Sequence, residues 1–297
     1  MTTKQQQEAL EFFRRHAPVW RDKAENRISA KVNVIEQRNA YVLEIAKERT
    51  RVDSFLDVGC GTGELVCEAA TNGIRATGVD YAPEMIKLAS KKAQDEGIKK
   101  AAFTCSSIFE YPLEAGTYDL ISANGFIEYI SLRELHDLLD LAAKALAPGG
   151  SFVVGSRNRL FNLVAMNAYT LEEIKAGASE HLLREAVQWA TATGIEKALD
   201  LPAAPLQPPE AKHAATGIDV VTRFQYSPLQ LINLLKGHAL HAVEVYPIHI
   251  HGVPLSYKKA DPELHLHIAN ALQASARHNT GLLTQASSFM VHAKKAE

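Results

Sequence analysis

Three observations predict an α/β fold built on an open, mostly parallel sheet. Short apolar runs alternate with amphipathic stretches between residues 54 and 156. Those runs lack a strict in–out alternation, as expected of strands covered on both faces. A Gly-x-Gly-x-Gly turn, made by Gly59, Gly61 and Gly63, follows the first of them directly. The expected architecture is doubly wound and Rossmann-like, with seven strands, N-terminal helices and a helical, proline-rich insertion after the fifth strand.

Residues 5–48 read as helical, broken at Pro18, with Tyr41, Val42, Ile45 and Ala46 forming an apolar stripe at helical spacing. "SFLDV" is then a strand, "ELVCEAATNG" a helix stopped at Asn72-Gly73, and "IRATGVD" a second strand. "APEMIKLASKKAQDEG" is a helix with proline in its first turn. "KAAFTCS" and "YDLISAN" are the third and fourth strands. Ser131, with Glu134 three residues on, caps the amphipathic helix "SLRELHDLLDLAAKAL". "APGG" turns the chain into the fifth strand, "SFVVGS". After Ser156 the rhythm stops, and "LPAAPLQPPEAKHAATG" suits neither regular element. It resumes at Ser227 with a helix, a strand, a helix and a closing strand, "SSFMVHAKK", expected as an antiparallel hairpin partner at the sheet edge. The organisation expected is a helical cap over 1–50, an α/β core over 51–156, a cover over 157–226 and the rest of the core over 227–297.

Composition excludes some classes of partner. Thirty-four acidic and 32 basic residues give a net charge of -2, so non-specific attraction to nucleic acid or anionic lipid is not expected. Three cysteines, Cys60, Cys67 and Cys105, without a Cys-x-x-Cys spacing read as reduced thiols. No run approaches eighteen apolar residues and the start has no secretory h-region, which suits a soluble, cytoplasmic protein.

The glycine turn narrows the ligand. A phosphate-binding loop would end in Gly-Lys-Ser/Thr, and a dinucleotide turn would place its third glycine three positions after the second. Here the spacing is two and Glu64 follows, which disfavours a pyrophosphate. Asp80 ends the second strand, where a carboxylate can accept both hydroxyls of a ribose. Asp57 can orient the turn or attract an ammonium, and Tyr81 and Met85 can wall an aromatic ring. Together they suggest a nucleoside carrying a zwitterionic tail.

The stretches "FLDVGCGTGELVCEAATNGIRATGVDYAPEMIKLA", "EYPLEAGTYDLISANGFIEYI" and "LAPGGSFVVGSRNR" resemble the class I S-adenosylmethionine-dependent methyltransferase superfamily. The resemblance covers residues 50–160, and 227–294 by order of elements. It implies S-adenosyl-L-methionine as cofactor, with S-adenosyl-L-homocysteine as product. Gly59, Cys60, Gly61 and Gly63 would wrap its methionine part and Asp80 would hold the ribose. Tyr81 and Met85 would lie near the adenine or sugar, and Asn124 near the methionine. The family often places an acidic residue after the third strand; this chain has Ser106-Ser107-Ile108, so Ser107 and Ile108 would take part of the adenine contact.

Within the superfamily the chain is most similar to ubiquinone-biosynthesis-type small-molecule O-methyltransferases. The likeness rests on Phe13, Ala17 and Trp20, on "SRNR" at Ser156–Arg159, and on Glu128. Tyr129 stands where those enzymes commonly have histidine. The implied reaction is direct methyl transfer to a small acceptor, an oxygen first and a nitrogen or carbon as alternatives. A nicotinamide oxidoreductase and a non-catalytic nucleoside-binding domain are the competing readings. Glu128, Tyr129 and His213 are the candidate catalytic groups. Trp20, Arg157, Arg159, Tyr169 and Arg223 are the candidate acceptor contacts. No metal is expected: His249 and His251 share a strand face and could bind one ion, but read better as a polar face near a sheet edge. His265 and His267 point to different faces of a helix.

Overall fold

The computed structural model of the chain describes residues 4–24, 32–48, 52–191, 195, 202–205 and 224–296. Seven strands form one sheet: β1 (Ser54–Val58), β2 (Arg75–Asp80), β3 (Ala101–Cys105), β4 (Tyr118–Ala123), β5 (Leu146–Arg157), β6 (Leu240–Ile250) and β7 (Ala286–Lys295). Their spatial order is β3-β2-β1-β4-β5-β7-β6. Pairings from β3 to β5 are parallel, whereas β7 runs antiparallel to both β5 and β6. The fold is therefore an α/β, Rossmann-like one with a mostly parallel sheet.

The described helices are α1 (Lys4–Ala24), α2 (Val34–Glu48), α3 (Glu64–Thr71), α4 (Pro83–Asp95), α5 (Leu132–Ala145), α6 (Arg159–Val164), α7 (Ala168–Lys175), α8 (Ser179–Thr191), α9 (Pro228–Lys236), α10 (Leu255–Ala260) and α11 (Pro262–Gln273). Local chemistry fixes several ends. Ser131 and Ser227 each close a capping box, with Glu134 and Gln230 respectively, and Pro83 and Pro228 sit in first turns where a missing N–H costs nothing.

Strand alternation explains the two covered faces. Leu56, Ile121, Phe152 and Val154 join one apolar cluster with Leu135, Leu138 and Leu139 of α5 and Leu231 of α9. Their neighbours Phe55, Leu120 and Val153 join a second cluster with Tyr41 and Val42 of α2 and Leu65 and Val66 of α3. Successive side chains thus feed opposite layers, which is why the strands read as continuous apolar runs.

The structure differs from the sequence reading in three places. Pro18 lies inside α1 and does not break it, because the helix is held along its length by tertiary contacts of Ala9, Phe12, Phe13, Ala17 and Trp20. β5 begins at Leu146, before Pro148, with a register shift opposite Tyr118–Leu120 that absorbs the glycines. The antiparallel closing strand is interior, not an edge. β6 takes the edge and carries Pro247 and a register irregularity between Ala242 and Glu244; both features are suited to an edge.

Candidate active site

The sheet opens at the carboxyl ends of β1, β2 and β4 onto a cavity of about 1180 Å³. Its glycine wall is set by backbone. Gly59 and Cys60 donate N–H bonds to the Val79 carbonyl at 2.8 and 3.2 Å, tying the turn to β2. Gly63 has φ +83°, and a Cβ there would meet Ala89 and Phe103 within 2.8 Å. Gly59, at φ +71°, would strike the Phe126 ring at 2.7 Å. Gly61, at φ +53°, faces open space. Glycine is thus required at 59 and 63 by packing, and at 61 by backbone conformation alone.

Asp80 organises this wall. One carboxylate oxygen accepts from Gly61 N–H at 3.0 Å and the other from Ala82 N–H at 2.9 Å. Each oxygen retains acceptor capacity for a further donor. Burial raises the Asp80 carboxyl above its ordinary value despite those bonds. Asp57 is buried and accepts from Ser122 Oγ at 2.5 Å; burial, with the Asp80 and Glu64 carboxylates adding to it, pushes its pKa up to about 7. Three carboxylates therefore surround one glycine turn, a field that favours a cationic ligand.

Of the other residues expected on this side, Cys60, Tyr81, Met85, Ser107, Ile108 and Asn124 all line the cavity. Tyr81 donates its hydroxyl to the Gln6 carbonyl at 3.0 Å and so pins α1 over the opening. Met85 packs against Ala17 and Ala82. Asn124 is the informative one: both polar atoms of its amide are buried and have no hydrogen-bond partner in the protein. A buried amide left so calls for a partner from outside the protein, a ligand or an ordered water.

The remaining wall is assembled from distant segments. Glu128 is 2% exposed and lies on a short 3₁₀ turn. Arg157 Nε donates to it at 3.0 Å, and Arg38 lies 3.8 Å away. Tyr129 and Trp20 both line the cavity and both pack on Phe13, Tyr129 edge-on at 5.1 Å and Trp20 tilted at 5.8 Å. Tyr169 also lines it. Arg159 does not behave as an acceptor contact. It is fully buried and forms a fork with Glu173, Nε–Oε1 at 3.0 Å and Nη2–Oε2 at 2.5 Å, with a third bond to the Pro205 carbonyl. Its charge is spent holding α6 to α7. His213 and Arg223 lie outside the described residues.

Sequence reading missed Arg38, whose Nη2 donates to Ser288 Oγ at 3.1 Å. Its signal was present: Arg38 falls on the same helical face as Tyr41, Val42 and Ile45, a charge within an apolar stripe. It also missed His265, which the fold brings to His249 and His251. Cys105 is exposed at the end of the edge strand β3.

A glycine turn, an acidic strand end and an unsatisfied amide thus meet around one cavity of this α/β protein. The Methyltransferase domain family matches residues 55–150, and that match supports a place for this domain in the class I S-adenosylmethionine-dependent methyltransferase superfamily. The chain is 33% identical over 115 residues to the probable fatty acid methyltransferase of Mycobacterium tuberculosis, covering 38% of this chain and 27% of that protein. It is 27% identical over 165 residues to the ubiquinone biosynthesis O-methyltransferase of a Methylobacterium species, covering 52% and 64%. The geranyl diphosphate C-methyltransferase structure from Streptomyces coelicolor matches 89% of this chain and 80% of that one, with a TM-score of 0.53 and 15% identity, a likeness of fold. The chain thus spans between about a quarter and two thirds of the length of these two curated relatives. S-Adenosylmethionine fits the residues present: the carboxylates suit its positive charges and Asn124 supplies unsatisfied polar atoms. No described helix is long and apolar enough to cross a membrane.

Proposed function

We propose that this chain transfers the methyl group of S-adenosylmethionine directly to a small-molecule acceptor, at an oxygen. The observation that carries the reading is the shared cavity, in which the glycine turn, Asp80 and Asn124 form one wall and Glu128, Arg157 and Tyr169 another. When bound, the cofactor supplies an electrophilic methyl on a positively charged sulfur. The protein's part is to orient and desolvate. The glycine turn, Asp80 and Asn124 would hold the cofactor so that it supplies that methyl to a lone pair of the acceptor. An acceptor hydroxyl must also lose its proton.

Glu128 is the group in this reading that takes that proton. Arg157 and Arg38 hold its carboxylate in place at the cavity wall. Tyr129 and Trp20 wall the acceptor and exclude water. The 157–226 segment, to which α6, α7 and α8 belong, is the cover that controls access. An oxygen acceptor is supported by the Methylobacterium relative, named for ubiquinone biosynthesis, which aligns over 52% of this chain.

Calorimetric titration with S-adenosylhomocysteine, beside NADH as a control, tests the cofactor. Binding of NADH alone would overturn the reading. Incubation with labelled S-adenosylmethionine and metabolite extract, followed by product analysis, separates oxygen from nitrogen or carbon. Hydrogen exchange that slows between Arg157 and Tyr226 only when cofactor and acceptor are both present would support the cover. Single-turnover rates for Glu128→Gln across pH should fall by about 10²–10⁴-fold with cofactor affinity retained. An unchanged rate removes Glu128 as base.

A further inference from the structure

We propose that His249, His251 and His265 form a binding site for one divalent cation of the zinc type, with an open position toward the cavity. The three residues come from two elements, β6 with the residue after it and α11. One ring nitrogen of each lies within 4.8 Å of the other two. His249 Nε2 and His265 Nε2 are 3.4 Å apart. Two imidazole nitrogens bound tetrahedrally to one zinc, at bonds of ~2.0–2.1 Å, stand about 3.3 Å apart. The pair is therefore already at the separation a shared ion would impose.

A second observation points the same way. His251 is 8% exposed, and neither of its ring nitrogens has a hydrogen-bond partner; His265 Nδ1 has none either. Such atoms in a native structure call for an unseen partner. His249 Nδ1, by contrast, lies 3.1 Å from Ser287 Oγ, the kind of outer contact that fixes a metal-ligating ring and leaves Nε2 for the ion. The backbone at His249 has φ 55°, which breaks the strand alternation where the ring is needed.

His249 and His251 line the cavity, which gives the fourth position access to a ligand. Lys258 and Arg157 add positive charge near the cluster. An anionic oxygen as fourth ligand would balance that charge and the ion's. On the methyl-transfer reading, that oxygen belongs to the acceptor; the cation site itself does not depend on it.

Titrating the chelator-treated full chain with Co²⁺ tests the site, because a low-coordinate cobalt centre absorbs visible light. We expect one equivalent bound and an affinity lowered roughly a hundredfold or more in His251→Ala or His265→Asn. His267→Ala, an exposed residue of the same helix, should bind as the parent does. Circular dichroism and S-adenosylhomocysteine titration on the same samples confirm that each variant is folded. Failure of the parent chain to bind cobalt at micromolar concentration would overturn the proposal, leaving the imidazoles as a polar contact. So would unchanged binding in a folded His251→Ala. If cobalt binds and S-adenosylhomocysteine does not, the cation site stands and the methyl-transfer reading falls.

Discussion

Between Val58 and Asn124 the cavity wall is made by consecutive strand–turn–helix units, each handing its ligand-side residue to the next. The facing wall draws Arg38 from α2, Glu128 from a 3₁₀ turn, Arg157 from the end of β5 and His249 and His251 from the end of β6 and the residue after it. The first wall is held mainly by backbone bonds and glycine conformation, the second by side-chain ion pairs. A wall of the first kind tolerates little change in its few special positions. A wall of the second kind can be rebuilt with different acceptors while the fold stays the same.

The largest effect expected comes from the insertion side. Arg159→Ala leaves Glu173 buried without its guanidinium and should cost about 3–5 kcal/mol in denaturant unfolding. Cofactor affinity should stay within about twofold of the parent for protein that remains folded, and the double change Arg159→Met, Glu173→Leu should recover most of the stability. A large loss of S-adenosylhomocysteine binding in Arg159→Ala would mean that the two walls are coupled, and the contrast would be wrong.

Asp80→Ala probes the other wall. It should lower cofactor affinity by roughly 10–150-fold, or about 1.5–3 kcal/mol, on folded protein. Parent-like calorimetry would remove Asp80 from the cofactor site. Gly61→Ala should cost about 1–2 kcal/mol of stability, since only its positive φ opposes a side chain. An additional fall in cofactor affinity would show that the open space beside Gly61 belongs to the ligand.

The smallest effect is one of pH. The Asp57 carboxyl titrates near 7 in the fold, against about 3.9 in an unfolded chain. Because the folded value is raised, its stabilising contribution is complete below about pH 4 and is lost as pH climbs through 7. Ionised Asp57 attracts a cation more strongly, so S-adenosylmethionine affinity should rise as pH climbs toward 7 and level off above it, by less in all than the loss expected of Asp80→Ala. Asp57→Asn should flatten that dependence. A flat profile in the parent would exclude Asp57 from the cofactor's field.

The same division decides what could be read from the chain. Strands β1 to β4, their glycine turn and Asp80 were legible because each signal is local: a run, a turn, a cap, an acidic residue at a fixed distance. Arg159 was misread because a guanidinium near a strand end looks the same in sequence whether it faces a ligand or Glu173. His265 was misjudged because spacing along α11 separates it from His267 but says nothing of β6, whose approach depends on tertiary packing. Pro18 was taken as a break on local grounds, and tertiary contacts along α1 overrode it.

The position of β7 has a consequence for synthesis. Among the described residues β6 is bonded in the sheet only to β7, which bridges it to β5. The ribosome completes β6 at Ile250 and does not begin β7 until Ala286. At ~5–20 residues per second, that leaves an interval of roughly 2–7 s. During it, β5 presents an unpaired flank and the nascent β6 segment lacks its strand partner. Val153 and Val154, later paired with His292 and Val291 of β7, border that flank. The histidines at the end of β6 are likewise assembled late, after the glycine turn has had time to form.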